Sequence, residues 1–127
     1  MRKSNDIQTA LQARLEADGF SASAHALPPN LGNTLPHIHV ERTGGFTMDM
    51  VMENNMVDFD VYASDPADAM TVASDLCAWA RNLTESVVGS FCYASEVTTL
   101  PYHNPDPRHP NIGRVTFKTQ ISTRTKE

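Results

Sequence analysis

Residues 37–62 read HIHVERTGGFTMDMVMENNMVDFDVY, and the way this stretch folds back on itself decides the fold. Gly44-Gly45 is a strong signal for a two-residue hairpin turn, because glycine tolerates the positive φ angles that such turns demand. A turn there predicts that Ile38 faces Val51, Val40 faces Asp49, His39 faces Met50 and Glu41 faces Met48, with the second strand running past Asn54-Asn55 to Tyr62. Side chains alternate across a strand, so Val51, Val57, Phe59 and Val61 join Ile38 and Val40 on a core face. The opposite face then carries Met48, Met50, Met52 and Met56 together with Asp58, Asp60 and Tyr62.

A helix is predicted on either side of this hairpin. The first runs from about Asn5 to Asp18, with Asn5 as cap, Gln8 at the capping-box position and Gly19 as the stop. Its apolar stripe is Ile7, Ala10, Leu11 and Leu15. The second opens at Ser64-Asp65-Pro66, with Pro in the first turn and Asp65 and Asp68 at the positive end of the dipole. Its stripe of Ala69, Ala73, Leu76, Ala80, Leu83 and Val87 has small residues suited to close approach to a sheet. Between the first helix and the hairpin, residues 19–36 read as a short edge strand followed by a loop. After Gly89, Phe91 to Leu100 and Ile112 to Thr123 have strand composition and form a closing antiparallel pair, with Val115, Phe117 and Ile121 alternating against Arg114, Thr116, Lys118 and Gln120. Pro101 to Pro110 joins them, and its four prolines predict a long stiff loop. The order helix, strands, helix, strands predicts an α+β single domain, an antiparallel sheet packed by two main helices.

The chain has 127 residues and a formal charge of −5, so one domain fits its length and a phosphate-gripping nucleic-acid binder does not fit its charge. No stretch approaches the run of roughly 20 apolar residues that spans a bilayer, and the first residues lead into no signal-peptide core, so a cytoplasmic protein is expected. Cys77 and Cys92 have no metal-finger spacing and are expected to be buried thiols. The sequon Asn82-Leu83-Thr84 falls in a helical pattern and is read as chance.

Candidate chemistry is thin. His37 and His39 share a strand face with Asp58 and Asp60 by parity, which is the raw material of a metal site. With a turn at Gly44-Gly45, however, the carboxylates lie about 20 Å further along the strand at ~3.4 Å per residue. Solvated polar residues are then the better reading. No phosphate loop, nucleophile elbow or His-Glu-x-x-His occurs, and Val88-Gly89-Ser90 lacks the flanking glycine of an elbow. His103, Asp106, Arg108 and His109 in the proline loop have no identifiable partner. No catalytic, cofactor or metal residue is assigned.

Surface features say more. The methionine stripe is either a flexible apolar contact surface or, through a bulge at Asn54-Asn55, part of the core. Seven acids and no Lys or Arg lie between Asp49 and Asp75, while Arg108, Arg114, Lys118, Arg124 and Lys126 crowd the C-terminal part. Opposite patches of this kind favour head-to-tail contact, which can close into a ring; two solvated faces of a monomer are the plainer alternative. The stiff proline loop is a reasonable docking element that deletion of residues 103–109 should remove without unfolding the protein. The candidate assembly interface is Met48, Met50, Met52, Asp58, Asp60, Tyr102 and Arg108.

The pattern of a helix, then Leu35-Pro36-His37-Ile38-His39-Val40-Glu41-Arg42-Thr43-Gly44-Gly45, then Val57-Asp58-Phe59-Asp60-Val61-Tyr62-Ala63, an Ala- and Leu-rich helix, and Leu100-Pro101-Tyr102-His103-Asn104-Pro105 leading to a strand that ends in Arg124 resembles the tail terminator proteins of long-tailed bacteriophages, those of actinobacterial phages and prophages above all. The resemblance covers about Ile7 to Arg124. It departs from the family in the Met-rich Phe46 to Met56 segment and in Pro107-Arg108-His109-Pro110, where a more basic run is expected. It implies a hexameric ring on the head-proximal end of the tail tube that stops tube polymerisation and meets head-completion proteins, in the virion neck after assembly in the host cytoplasm. It implies no catalytic residue and no cofactor. Its partners are further copies of itself, the tail tube protein and the head-completion protein, with genomic DNA only as passing cargo and no membrane. An acidic lumen suits that passage, since it repels the duplex. Two alternatives stand beside it: another neck protein, such as a head-closure or connector component, and a small enzyme or metal-binding protein using His37, His39, Asp58 or the loop histidines.

Overall fold

The computed structural model describes residues 2–83 and 92–125. Val87, Gly89, Phe91, the Val88-Gly89-Ser90 segment, Thr84 of the sequon, Lys126 and Glu127 lie outside the described residues. Helix α1 (Ile7–Ala17) buries Ile7, Leu11 and Leu15 of the predicted stripe, while Ala10 is only partly buried. Its cap is Asp6 and not Asn5: the Asp6 carboxylate accepts from the Thr9 N–H at 3.2 Å, and an ionised cap also complements the helix dipole. Gln8 is taken elsewhere. Its amide donates to the carbonyls of Ala24 and Val40 and accepts from the Arg42 N–H, pinning the helix to the sheet. The stop at Gly19 (φ 94°) is a Schellman turn, with Gly19 N–H on Glu16 O and Phe20 N–H on Leu15 O.

Helix α2 (Pro66–Arg81) starts where predicted, the Asp65 carboxylate accepting from the Asp68 N–H at 2.8 Å with Pro66 in the first turn. Ala69, Ala73, Leu76, Cys77 and Ala80 are buried. Its start lies flat on the sheet over Gly113, where a Cβ would come within 2.6 Å of the Asp65–Pro66 backbone.

The strands are β1 (Ser21–Ser23), β2 (His37–Thr47), β3 (Met52–Ala63), β4 (Cys92–His103) and β5 (Gly113–Arg124), with Leu31–Asn33 a short 3₁₀ turn. They form one five-stranded sheet in the order β1-β2-β3-β5-β4, antiparallel except at its edge, where β1 runs parallel to β2. The single-domain α+β architecture follows: α1 and α2 cover one face. Its core is Ile38, Val40, Val57, Phe59, Val61, Val115, Phe117 and Ile121 against the two helices. β4 runs on through Pro101 to His103, further than predicted, because it is an edge strand whose register shifts between Thr99 and Tyr102, where no ladder N–H is required of proline.

The hairpin turns later than Gly44-Gly45. Ile38 pairs with Val61, Val40 with Phe59, His39 with Asp60 and Glu41 with Asp58, and the loop is residues 48–51. The shift preserves parity, so the core face is as predicted from Val57 onwards, but Val51 leaves it for the turn. The turn is built by Asp49, whose Oδ1 accepts from the N–H groups of Val51 (2.8 Å) and Met52 (2.9 Å). Gly45 serves a close approach instead: φ is 143°, and a Cβ there would sit 2.1 Å from Asn54 O. The bulge is in β2, between Arg42 and Gly44, and not at Asn54-Asn55. Asn55 stays in the ladder because its buried amide donates to Ile121 O and Thr123 Oγ1, both at 3.0 Å, and accepts from Arg42 Nη1.

Candidate functional site

Among the described residues, one face of the sheet carries no helix. Strand alternation places on it Ser21, Ser23, His37, His39 and Glu41 from β1 and β2, Asp58, Asp60 and Tyr62 from β3, Arg114, Thr116 and Lys118 from β5, and Tyr102 from β4. The register that moved the turn also moved the acids. Asp60 lies directly across from His39, not about 20 Å away as a Gly44-Gly45 turn requires. One pair of charges separated along the chain meets across β3 and β5, Lys118 Nζ on Asp58 Oδ2 at 2.9 Å, and beside it the Thr116 hydroxyl donates to Asp60 Oδ1 at 2.6 Å. One acid–base pair of the charge segregation seen in the sequence, Asp58 with Lys118, is therefore satisfied within the molecule.

The loop after β4 closes over one end of this face, and Asp106 is its anchor. Only 3% of its side chain is exposed. It accepts from the Arg108 N–H at 3.0 Å, from Arg108 Nε at 3.4 Å and from Tyr62 OH at 3.1 Å, with His109 Nδ1 at 3.2 Å and Arg114 Nη1 at 3.7 Å. Burial pushes its carboxyl up, but the hydrogen bonds from the Arg108 backbone, His109, Arg108 Nε and Tyr62 outweigh that and hold it well below the carboxylate range. Arg114 continues the clamp, its Nε donating to Asn104 O at 2.5 Å while its guanidinium lies 5.9 Å from the Tyr62 ring centre. The loop is thus anchored and not detachable. Deletion of residues 103–109 would strip the partners of buried Tyr62 and half-buried Arg114, and is expected to unfold the chain.

Beside the anchor, a polar hydrogen-bonded chain runs along the sheet edge. Ser21 Oγ meets His37 Nδ1 at 2.8 Å, His37 Nε2 meets Ser23 Oγ at 2.9 Å, and Ser23 Oγ meets His39 Nδ1 at 2.8 Å. Burial pushes both imidazoles to lower pKa; for His39 the nearby Asp60 and Glu41 carboxylates offset part of it. A cleft of about 560 Å³ opens here, lined by His25, Pro28, His39, Glu41, Asp60, Tyr62, Arg108, His109 and Arg114 among others. Titratable groups therefore converge more than the sequence indicated. Their chemistry is mutual satisfaction: the hydroxyls bridge histidines, and Asp106 takes its donors from the loop, Tyr62 and Arg114. His39 opposite Asp60 supplies two metal-ligand types, but among the described residues no three His, Cys, Asp or Glu side chains are grouped to hold a metal ion. Cys77 and Cys92 are buried free thiols, each pushed up by burial.

His37 gives a pH signature. A depressed folded pKa means that the unfolded chain binds the proton first as pH falls, so the stability is present above the ordinary value of 6.5 and lost as pH drops below it toward the folded pKa. The urea midpoint is expected to fall between pH 7 and pH 5, and less steeply in His37→Asn; an unchanged slope in that variant would locate the effect elsewhere.

The second feature is apolar and lies at the other end of the sheet. Met50 is 84% exposed, Phe46 56% and Met48 48%, all in or beside the turn; Met56 is exposed on the helix-free face and Met52 is half-buried. Of the candidate interface residues, Asp58, Asp60 and Tyr102 share the helix-free face, Arg108 lies on the loop at one end of it, and Met48, Met50 and Met52 gather at the other end. The residues missed in the sequence are Asp106, Tyr62 and Arg114 as a unit. The available signal was Asp106-Pro107, an Asp-Pro turn opener whose carboxylate takes the N–H two residues on. Among the described residues, no helix is long and apolar enough to cross a membrane. No protein-family model matches the chain, and comparison with curated proteins finds no match.

Proposed function

We propose that the chain is a structural subunit of a phage or prophage tail, a tail terminator that forms a ring on the head-proximal end of the tail tube, stops tube growth and presents a surface to the head-completion proteins. In this reading it is not an enzyme and needs no cofactor, and genomic DNA passes through the ring without being gripped. Its place is the virion neck, reached from the host cytoplasm during assembly. The observation that carries the reading is the exposed apolar turn at Met48 and Met50, standing at the end of the sheet. Large apolar side chains so exposed mark contact sites. Polar groups on the helix-free face, by contrast, are held by one another. The order of helices and strands agrees with the resemblance.

Electron microscopy of the purified protein mixed with isolated tail tubes tests the proposal. Rings on one tube end, with elongation from that end blocked, are the expected result. Binding to head portals instead, or to neither structure, would reject the terminator role.

A further inference from the structure

We propose that the turn at residues 48–51 of one copy seats in a cleft at the opposite end of the next copy, with Met48 and Met50 against Pro110 and Ile112 and with Asp49 facing Arg108. This rests on the reading of the chain as a self-assembling subunit and names the contact that joins the copies. The cleft, about 490 Å³, is lined by Leu35, Arg108, Pro110 and Ile112 along with Gly32, Ser64, His109 and Asn111. It lies where β5 begins, whereas the turn lies where β3 begins and β5 ends. The strands between are 12 residues long, so the two surfaces are separated by about 40 Å at ~3.4 Å per residue and cannot meet within one copy.

The surfaces match in three respects. The turn offers flexible apolar side chains, suited to irregular apolar walls, and the cleft offers proline, leucine and isoleucine. The turn carries the exposed carboxylate of Asp49, and the cleft rim carries Arg108, whose side chain is 75% exposed while its Nε is steadied by Asp106. Both are pre-ordered: Asp49 caps the turn, Thr125 N–H donates to Val51 O at 2.8 Å behind it, and Pro110 stiffens the cleft wall, so little entropy is lost on docking. A contact between different surfaces at opposite ends is heterologous, and it propagates around a ring. These two surfaces on one chain complement each other in apolarity and charge, which favours a second copy as the occupant.

Sedimentation velocity on the full chain tests this with Met50→Asp, which damages the turn, and Arg108→Asp, which puts a second carboxylate against Asp49. Wild-type protein is expected to form closed oligomers. Each variant alone should associate about 30-fold more weakly or worse, the scale of losing one interface anchor. Mixed together, the two variants should form one-to-one complexes and nothing larger, because one intact turn meets one intact cleft. Should Met50→Asp fail to fold by circular dichroism, Met48→Asp takes its place. Wild-type protein that stays monomeric, a variant that assembles normally, or a mixture that stays monomeric would overturn the docking. Capping of tail tubes by Met50→Asp would reject this contact while leaving the terminator role standing. Rings that depend on both residues but ignore tubes would do the reverse.

Discussion

Asp106→Ala is expected to cost about 3–5 kcal/mol, the range for removing one partner of a buried ion pair. The cost does not come from the lost side chain's packing. It comes from what stays behind: the Tyr62 hydroxyl in a residue 1% exposed, the Arg114 side chain at 15%, and the Arg108 N–H, all having lost the carboxylate they donate to or face. Asp106→Asn keeps the shape and some acceptor capacity, and should cost less. Urea denaturation at pH 7 compares the three proteins directly, and equal midpoints would show that the loop does not lean on this residue. Acid supplies the second check. Asp106 has a folded pKa below its ordinary 3.8, so the unfolded chain takes up the proton first as pH falls. Its stabilisation is complete above about pH 3.8 and lost as pH drops below that value. Asp106→Asn should therefore flatten the loss of stability at the acid end while leaving in place the His37 limb, which sets in as pH drops below 6.5. The same residue steadies Arg108 and the wall of the proline-lined cleft, so its loss should also weaken self-association in any protein that remains folded.

Much of this molecule is written in local patterns, and the part that is not depends on distances that local patterns do not contain. The α1 stripe, the α2 stripe from Ala69 to Ala80, the Asp65-Pro66 start, the Gly19 stop and the alternation of Val57, Phe59 and Val61 are legible because period and capping chemistry act within a few residues. Helix α2 ends at Arg81, so Leu83 of the predicted stripe lies beyond it and Val87 outside the described residues. The hairpin turn was misplaced because Gly-Gly has two physical uses. Sequence shows that glycine is needed at 44–45, yet not whether the need is a turn or, as at Gly45, a Cβ that would strike Asn54 O on the neighbouring strand. The true turn uses Asp49, an ordinary residue until its carboxylate caps two N–H groups. A turn at Gly44-Gly45 would hold His39 and Asp60 apart; the turn at residues 48–51 pairs them. An even shift kept every core residue from Val57 to Val61 on its side, which is why the fold class survived an error that altered the site. The Asp106 clamp was hidden for another reason: its partners Tyr62 and Arg114 come from two strands distant in sequence, and the proline density that announced a stiff loop carried no information about where the loop leans.

An apolar residue of the core and one of the exposed turn should respond oppositely to substitution, and Phe59 against Met50 makes the contrast measurable. Phe59 is fully buried, stacked on Phe117 with ring centres 5.0 Å apart and meeting the edge of Trp79 at 6.1 Å. Trp79 in turn donates from Nε1 to Asp18 Oδ2 at 2.7 Å, so this aromatic group links the sheet to both helices. Phe59→Ala removes the middle ring, loses its transfer free energy and leaves a cavity that the stacked Phe117 cannot readily fill; about 3–5 kcal/mol is expected. Against a total stability of about 5–15 kcal/mol for a domain of ordinary robustness, that is enough to lower the thermal midpoint by tens of degrees. Met50→Asp removes no buried contact, and should change monomer stability by no more than about 0.5 kcal/mol. Scanning calorimetry on both variants at a concentration where wild-type protein is dissociated reads the difference. If Met50→Asp destabilises the isolated subunit as Phe59→Ala does, the turn is part of the interior. If it leaves the midpoint in place while abolishing association, its exposed methionines belong to contact between copies, and the free energy they contribute is available only in the assembled ring.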